Sequence, residues 1–145
     1  MMHRNVGELL NNRVVVALSS DASVREAAGC MKAAHVASVV VTEAEDRHIA
    51  GIFTERDLTE RVVADGLDPD RTRLAAVMTP HPLTIGPDAT VHEALRHMHD
   101  NGMRHLPIVQ NGRVVGIVSM RDFMGEELAD IDRETRLMES LTEVM

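Results

Sequence analysis

The heptapeptide "GIFTERD", Gly51 to Asp57, returns 65 residues later as "GIVSMRD", Gly116 to Asp122. Each copy runs from a glycine through two apolar residues to a hydroxyl, and ends on an arginine and an aspartate. The apolar pair reads as the end of a strand. The hydroxyl and the aspartate three positions on read as the first turn of a helix, where both side chains can satisfy free amides. A motif written twice in a chain of 145 residues points to a duplication.

Working outward, the stretch "SDASVREAAGCMKAAHVASVVVT" (20–42) aligns with "PDATVHEALRHMHDNGMRHLPIV" (87–109) at an offset of 67. Asp21, Ala22, Val24, Glu26, Ala27 and Met31 match Asp88, Ala89, Val91, Glu93, Ala94 and Met98. Two extra loop residues after Thr42 then reduce the offset to 65. Each copy predicts the same order, β-α-β-β-α. The first strands are expected at Val14–Leu18 and Leu83–Ile85, and the first helices at Val24–Ala34 and Val91–Asn101. Ser23 with Glu26, and Thr90 with Glu93, form the capping boxes that open those helices. The unbroken apolar runs Val36–Val41 and Leu106–Val109 read as buried strands. A turn, clearest at Asn111-Gly112, leads to strands at Ile49–Phe53 and Arg113–Val118. A second helix starts near Glu55 and near Met120. The fold class is α/β (α+β), two tandem repeats forming a pseudo-twofold pair. We expect a flanking helix over 1–13, the first repeat over 14–64, a connector over 65–77, the second repeat over 78–124 and a C-terminal helix over 125–145. In that last segment Met124, Leu128, Ile131, Thr135 and Met138 trace a heptad seam, suited either to the protein's own core or to a dimer contact.

Composition narrows the function. The net charge is -8, and the chain holds two Phe, no Trp and no Tyr. Generic nucleic-acid binding needs a basic face, and single strands need aromatic stacking platforms; neither is present. No apolar run is long enough to span a membrane, and no signal peptide leads the chain, so the expected compartment is the cytoplasm. Cys30 is the one cysteine and falls in an apolar helical pattern, as a small buried residue does. His92, His97, His99 and His105 crowd one stretch without zinc-site spacing, so no metal is expected. No nucleophile elbow, phosphate loop or acid-base set assembles, so the chain does not read as an enzyme and no catalytic cofactor is expected.

The repeated heptapeptide admits two readings. Thr54 with Asp57 and Ser119 with Asp122 can simply cap their helices. The same geometry suits a nucleotide: amides at a helix N-terminus attract phosphate, and an acidic side chain accepts hydrogen bonds from a ribose diol. Arg56 and Arg121 stand beside each aspartate.

Taken together, "SSDASVREAA", "GIFTERD", "VMTPHPLTIGPDATVHEAL" and "RHLPIVQNGRVVGIVSMRD" resemble a pair of CBS (cystathionine-β-synthase) domains over about Val14 to Met124. The resemblance implies two clefts between the repeats that bind adenosyl ligands: AMP, ADP, ATP or S-adenosylmethionine. It implies that Asp57 and Asp122 hold ribose hydroxyls and that Thr54 and Ser119 approach phosphate. Base contacts would come from the partner repeat: Ala22, Ala27, Val36 and Ser38 for the Asp122 cleft, and Ala89, Ala94, Met103 and His105 for the Asp57 cleft. The first repeat departs from the family pattern, with "SVV" at Ser38–Val40 where the second has "HLP" at His105–Pro107. Because Arg104-His105 replaces Ala37-Ser38, the Asp57 cleft is expected to be the better phosphate site. The resemblance further implies a homodimer and a sensor acting through its oligomer or a downstream protein. An interaction module with empty clefts is the alternative.

Overall fold

The computed structural model describes residues 4–10, 15–43, 48–123, 133 and 136–138. The elements are β1 (Ala17–Ser19), α1 (Val24–Ala34), β2 (Ser38–Glu43), β3 (His48–Thr54), α2 (Glu55–Asp57), α3 (Leu74–Val77), β4 (Thr79–Pro80), α4 (Val91–Asn101), β5 (His105–Gln110) and β6 (Arg113–Ser119). β1 lies parallel to β2, β2 antiparallel to β3 and β3 antiparallel to β4. β5 and β6 form a second antiparallel pair. The tandem α/β arrangement is the one expected.

Helices α1 and α4 start and stop where their caps dictate. Ser23 accepts from the Glu26 amide at 3.1 Å, and Thr90 from the Glu93 amide at 3.0 Å. Both end on a left-handed residue, His35 at φ 55° and Gly102 at φ 62°. The chain reverses there, and the amide of Val36 bonds back to the Met31 carbonyl. For this reason β2 begins at Ser38 and not at Val36. Other boundaries also shift. The expected strand at Leu83–Ile85 is reduced to one parallel bridge, Ile85 to Ile108. There the Ile85 amide donates to the Pro107 carbonyl at 3.2 Å and the Ile85 carbonyl accepts from the Val109 amide at 2.8 Å. After Asp57 the helix widens over Leu58–Val63, with the Ala64 amide reaching back five residues to the Thr59 carbonyl. The second copy's helix begins as one tight turn, Met120–Asp122. Most of the expected C-terminal seam (Met124, Leu128, Ile131 and Thr135) lies outside the described residues; Met138 is exposed.

Two cores form, and each borrows from outside its own repeat. In the first, Val24, Ala27, Met31, Val39, Val41 and Phe53 pack with Leu74 and Val77 of α3, which precedes the second repeat. In the second, Val91, Ala94, Leu95, Met98, Leu106 and Ile108 pack with Val6 and Leu9, which precede the first. Within the flanking segment expected as a helix over 1–13, Val6–Leu10 form a short tight helix. Backbone bonds repeat this crossing. The Leu74 amide donates to the Ala22 carbonyl and the Val24 amide to the Thr72 carbonyl. The Val6 amide donates to the Ala89 carbonyl and the Val91 amide to the Arg4 carbonyl.

Leu74 is fully buried. Leu74→Ala should therefore destabilise the protein by about 2–5 kcal/mol, as large-to-small core substitutions do. Urea unfolding checks this, and a loss below about 0.5 kcal/mol, typical of a surface change, would place Leu74 outside the core.

Candidate ligand site between the repeats

Each copy of the heptapeptide places its aspartate in the same way. β3 runs extended to Thr54 and β6 to Ser119, and the chain then turns into a helix. Asp57 Oδ2 accepts from the Thr54 amide at 3.0 Å and from its hydroxyl at 3.2 Å. The Asp57 amide donates back to Thr54 Oγ1 at 3.3 Å. Asp122 Oδ2 accepts from the Ser119 amide at 2.7 Å and its hydroxyl at 3.4 Å. In both copies one carboxylate oxygen starts the helix.

The surroundings of the two aspartates differ. Asp57 is buried, 7% exposed, and its Oδ1 lies 3.6 Å from Arg61 Nε. Asp122 is half-buried and opens onto a cavity of about 350 Å³. Val15, Val16, Val36, Ala37 and Ser38 of the first repeat line it, with His105, Ile117, Ser119, Arg121 and Asp122 of the second. Ala34 and His35, at the end of α1, complete the wall. A second opening of about 390 Å³ shares His35, Val36, Ala37 and Arg121 with it and adds Lys32, Glu55 and Leu58. The cavity has apolar walls, a carboxylate, a hydroxyl and a guanidinium, a mixture that suits a small organic anion.

Of the sequence-derived site residues, Val36, Ala37, Ser38, His105, Ser119, Arg121 and Asp122 meet in this cavity. Ala22 and Ala27 do not line it. Ala27 is fully buried in the first core and Ala22 packs against that core. Ala94 is likewise buried in the second core, with Ala89 and Met103 against it. Thr54 and Asp57 stand at the other motif, where Arg56 is exposed and paired with Glu60 at 3.6 Å. Arg104 is exposed, and its carbonyl accepts from the Met120 amide.

His105, assigned from sequence to the Asp57 side, instead lines the Asp122 cavity. Its strand position explains this: His105 pairs with Ser119 in the β5–β6 ladder. Sequence reasoning missed Val15, Val16, His35 and Ile117. The reversal after α1 that turns His35 toward the cavity has no glycine to announce it. Among the described residues no group of three His, Cys, Asp or Glu is placed to hold a metal ion, and no helix is long and apolar enough to cross a membrane.

Residues 6–64 and 74–128 each match the CBS domain family. An uncharacterized protein of Methanopyrus kandleri is 37% identical over 136 residues, covering 91% of this chain and 68% of that protein. A CBS domain-containing protein of Arabidopsis thaliana is 30% identical over 116 residues, 80% of this chain but only 22% of that much longer protein. Among solved structures, a CBS domain protein from Pyrobaculum aerophilum complexed with AMP superposes with a TM-score of 0.79 at 29% identity, covering 89% of this chain and 98% of that one. The chain belongs to the CBS domain family and carries two copies of the domain. A CBS pair is a regulatory module.

Burial pushes the His105 imidazole below its ordinary value of 6.5, and the Arg121 guanidinium adds to the shift. Glu55 and Asp122 oppose it, and Arg104 lowers it further. The folded state thus binds fewer protons at this site than the unfolded chain between the two values, so stability rises with pH there. The contribution is fully present above the unfolded value and is lost as pH falls through it toward the folded one. On going from about pH 7.5 to about pH 5.5, the wild type should lose more unfolding free energy than His105→Gln. Equal losses in denaturant titrations would show that His105 carries none of this dependence.

Proposed function

We propose that the protein is a sensor that binds an adenine nucleotide, or another adenosyl ligand such as S-adenosylmethionine, in the Asp122 cavity. Its output passes to its own oligomer or to a downstream protein, and not to a reaction at this site. The observation that carries this reading is the convergence of Ser119, Arg121 and Asp122 from one repeat on Val36, Ala37 and Ser38 from the other, around about 350 Å³. Asp122 accepts the ribose hydroxyls at the mouth of the cavity. Ser119 and Arg121 face the phosphate, and Val15, Val16 and Val36 flank the base. Arg121 matters because a chain of net charge -8 repels nucleotides at long range, so a local cation must offset that field. The AMP complex of the Pyrobaculum protein supports the ligand class.

A homodimer belongs to the same reading. Ala28 and Cys30 on α1 are only half-buried, and Val63 beyond α2 is 69% exposed. Apolar side chains left partly exposed in this way favour association. The second reading, an interaction module with empty clefts, is favoured by one observation: both aspartates already satisfy their helix caps without any ligand.

Melting curves with AMP, ATP and S-adenosylmethionine separate the two. A ligand at a hundredfold excess over its dissociation constant adds about 2.7 kcal/mol of stability, and the melting temperature rises accordingly. Asp122→Asn keeps an acceptor for the cap but removes the charge. It should weaken binding by about 10- to 150-fold, the equivalent of one hydrogen bond to a charged group. If no ligand shifts the melting temperature, the module does not sense adenosyl compounds.

A further inference from the structure

The two repeats carry different residues at one equivalent position, and both residues face the same cavity. Ser38 and His105 match at the offset of 67. Each opens its strand and pairs across the ladder with the hydroxyl residue of its own motif, Ser38 with Thr54 and His105 with Ser119. Both line the Asp122 cavity. Where the first repeat offers a hydroxyl, the second offers the side chain that changes charge near neutral pH. Residues directly opposite in an antiparallel pair hold their Cβ atoms about 4.5–5.5 Å apart on one face of the sheet. The imidazole therefore stands beside Ser119, the residue that meets the phosphate of a bound nucleotide.

The charges facing His105 come from several segments. Arg121 and Asp122 follow β6, Glu55 opens α2 and Arg104 precedes β5. His35, at the end of α1, shares the cavity wall. Lys32 and Glu55 stand in the adjoining opening. The fixed charges of the two openings balance, Arg121 and Lys32 against Asp122 and Glu55, so protonating a histidine is what makes this region cationic. Burial holds the His105 imidazole below its ordinary value, and Arg121 adds to the effect, so the ring is neutral near pH 7. A dianionic phosphate set against Arg121 offsets the cation that opposes protonation and adds an anion of its own. A sulfonium does the reverse.

We propose that His105 selects the ligand by its charge: a nucleotide enters the cavity together with a proton that settles on the imidazole, whereas S-adenosylmethionine enters without one. This rests on the reading of the cavity as an adenosyl site, and narrows that site to phosphate-bearing ligands as pH falls. The proton comes from solvent. Because a bound phosphate raises the proton affinity of His105, binding takes up protons between the free and the bound values, and nucleotide affinity gains as pH falls through that window. The phosphate monoester itself titrates near about 6, and Arg121 favours its dianion, which works in the opposite direction. The difference between the wild type and a variant without the imidazole isolates the part due to His105.

Calorimetry on the full chain at about pH 7.5 and about pH 6.0 tests this with AMP, adenosine and S-adenosylmethionine, on the wild type and His105→Gln. With AMP, the affinity of the wild type relative to the variant should rise about 3- to 10-fold on acidification, within the tenfold per pH unit that one proton allows. With adenosine or S-adenosylmethionine that ratio should not rise. An NMR titration of the wild-type imidazole needs no variant: its midpoint should move up in saturating AMP and stay in place with adenosine. An AMP ratio that is equal at the two pH values, a midpoint that AMP does not raise, or an equal response to adenosine would overturn the coupling and leave the nucleotide site standing. If AMP binds the wild type at neither pH, the nucleotide reading falls and the coupling falls with it.

Discussion

Each repeat is closed by the segment that leads into the other, and the rest of the structure depends on this crossing. Val6 and Leu9 sit in the second core, Leu74 and Val77 in the first. Neither repeat could bury its own apolar face alone, so the two are locked into one pseudo-twofold body. The crossing also explains the first letter of the repeated heptapeptide. A Cβ built on Gly51 would come within 2.8 Å of the Thr79 carbonyl oxygen and would strike the Met78 side chain; one on Gly116 would strike Leu10. Gly51 is there for close approach of the crossing backbone, which at 2.8 Å has little room to give, whereas at Gly116 the close neighbour is the Leu10 side chain. The lock holds the end of β6 facing the start of β2, where the cavity lies.

The aspartate of the motif then has two tasks. One oxygen caps the helix and fixes the carboxylate. The surroundings of the carboxylate then decide what else it can do. At Asp57 the surroundings supply Arg61, held by α3 carbonyls. At Asp122 they supply an opening walled by the partner repeat. The capping and ligand readings of the heptapeptide are therefore not rivals. Pre-organisation by the cap reduces the ordering cost that a ligand would otherwise bear.

Much of this was legible in the residues. The duplication, the helix bounds at Val24–Ala34 and Val91–Asn101, and the order of elements follow from hydroxyl caps and apolar spacing. Those are local signals. What escaped the sequence is non-local. No spacing rule shows that Leu74 belongs to the first core, since its own neighbours point toward the second repeat. His35 turns the chain with a positive φ that its residue type does not advertise. Ala27 and Ala94 hold base-contacting positions by resemblance, yet each faces a core, because a helix has one inward stripe and these residues lie on it. Arg61 reads as one more solvated charge until the Met78 carbonyl is found beside it.

The most direct measurement is a crystal structure of the protein grown with AMP. The account predicts ligand density in the cavity between Val36–Ser38 and Ser119–Asp122, with the ribose hydroxyls on the Asp122 carboxylate and the phosphate toward Arg121. Density on Asp57 with the Asp122 cavity empty would contradict it.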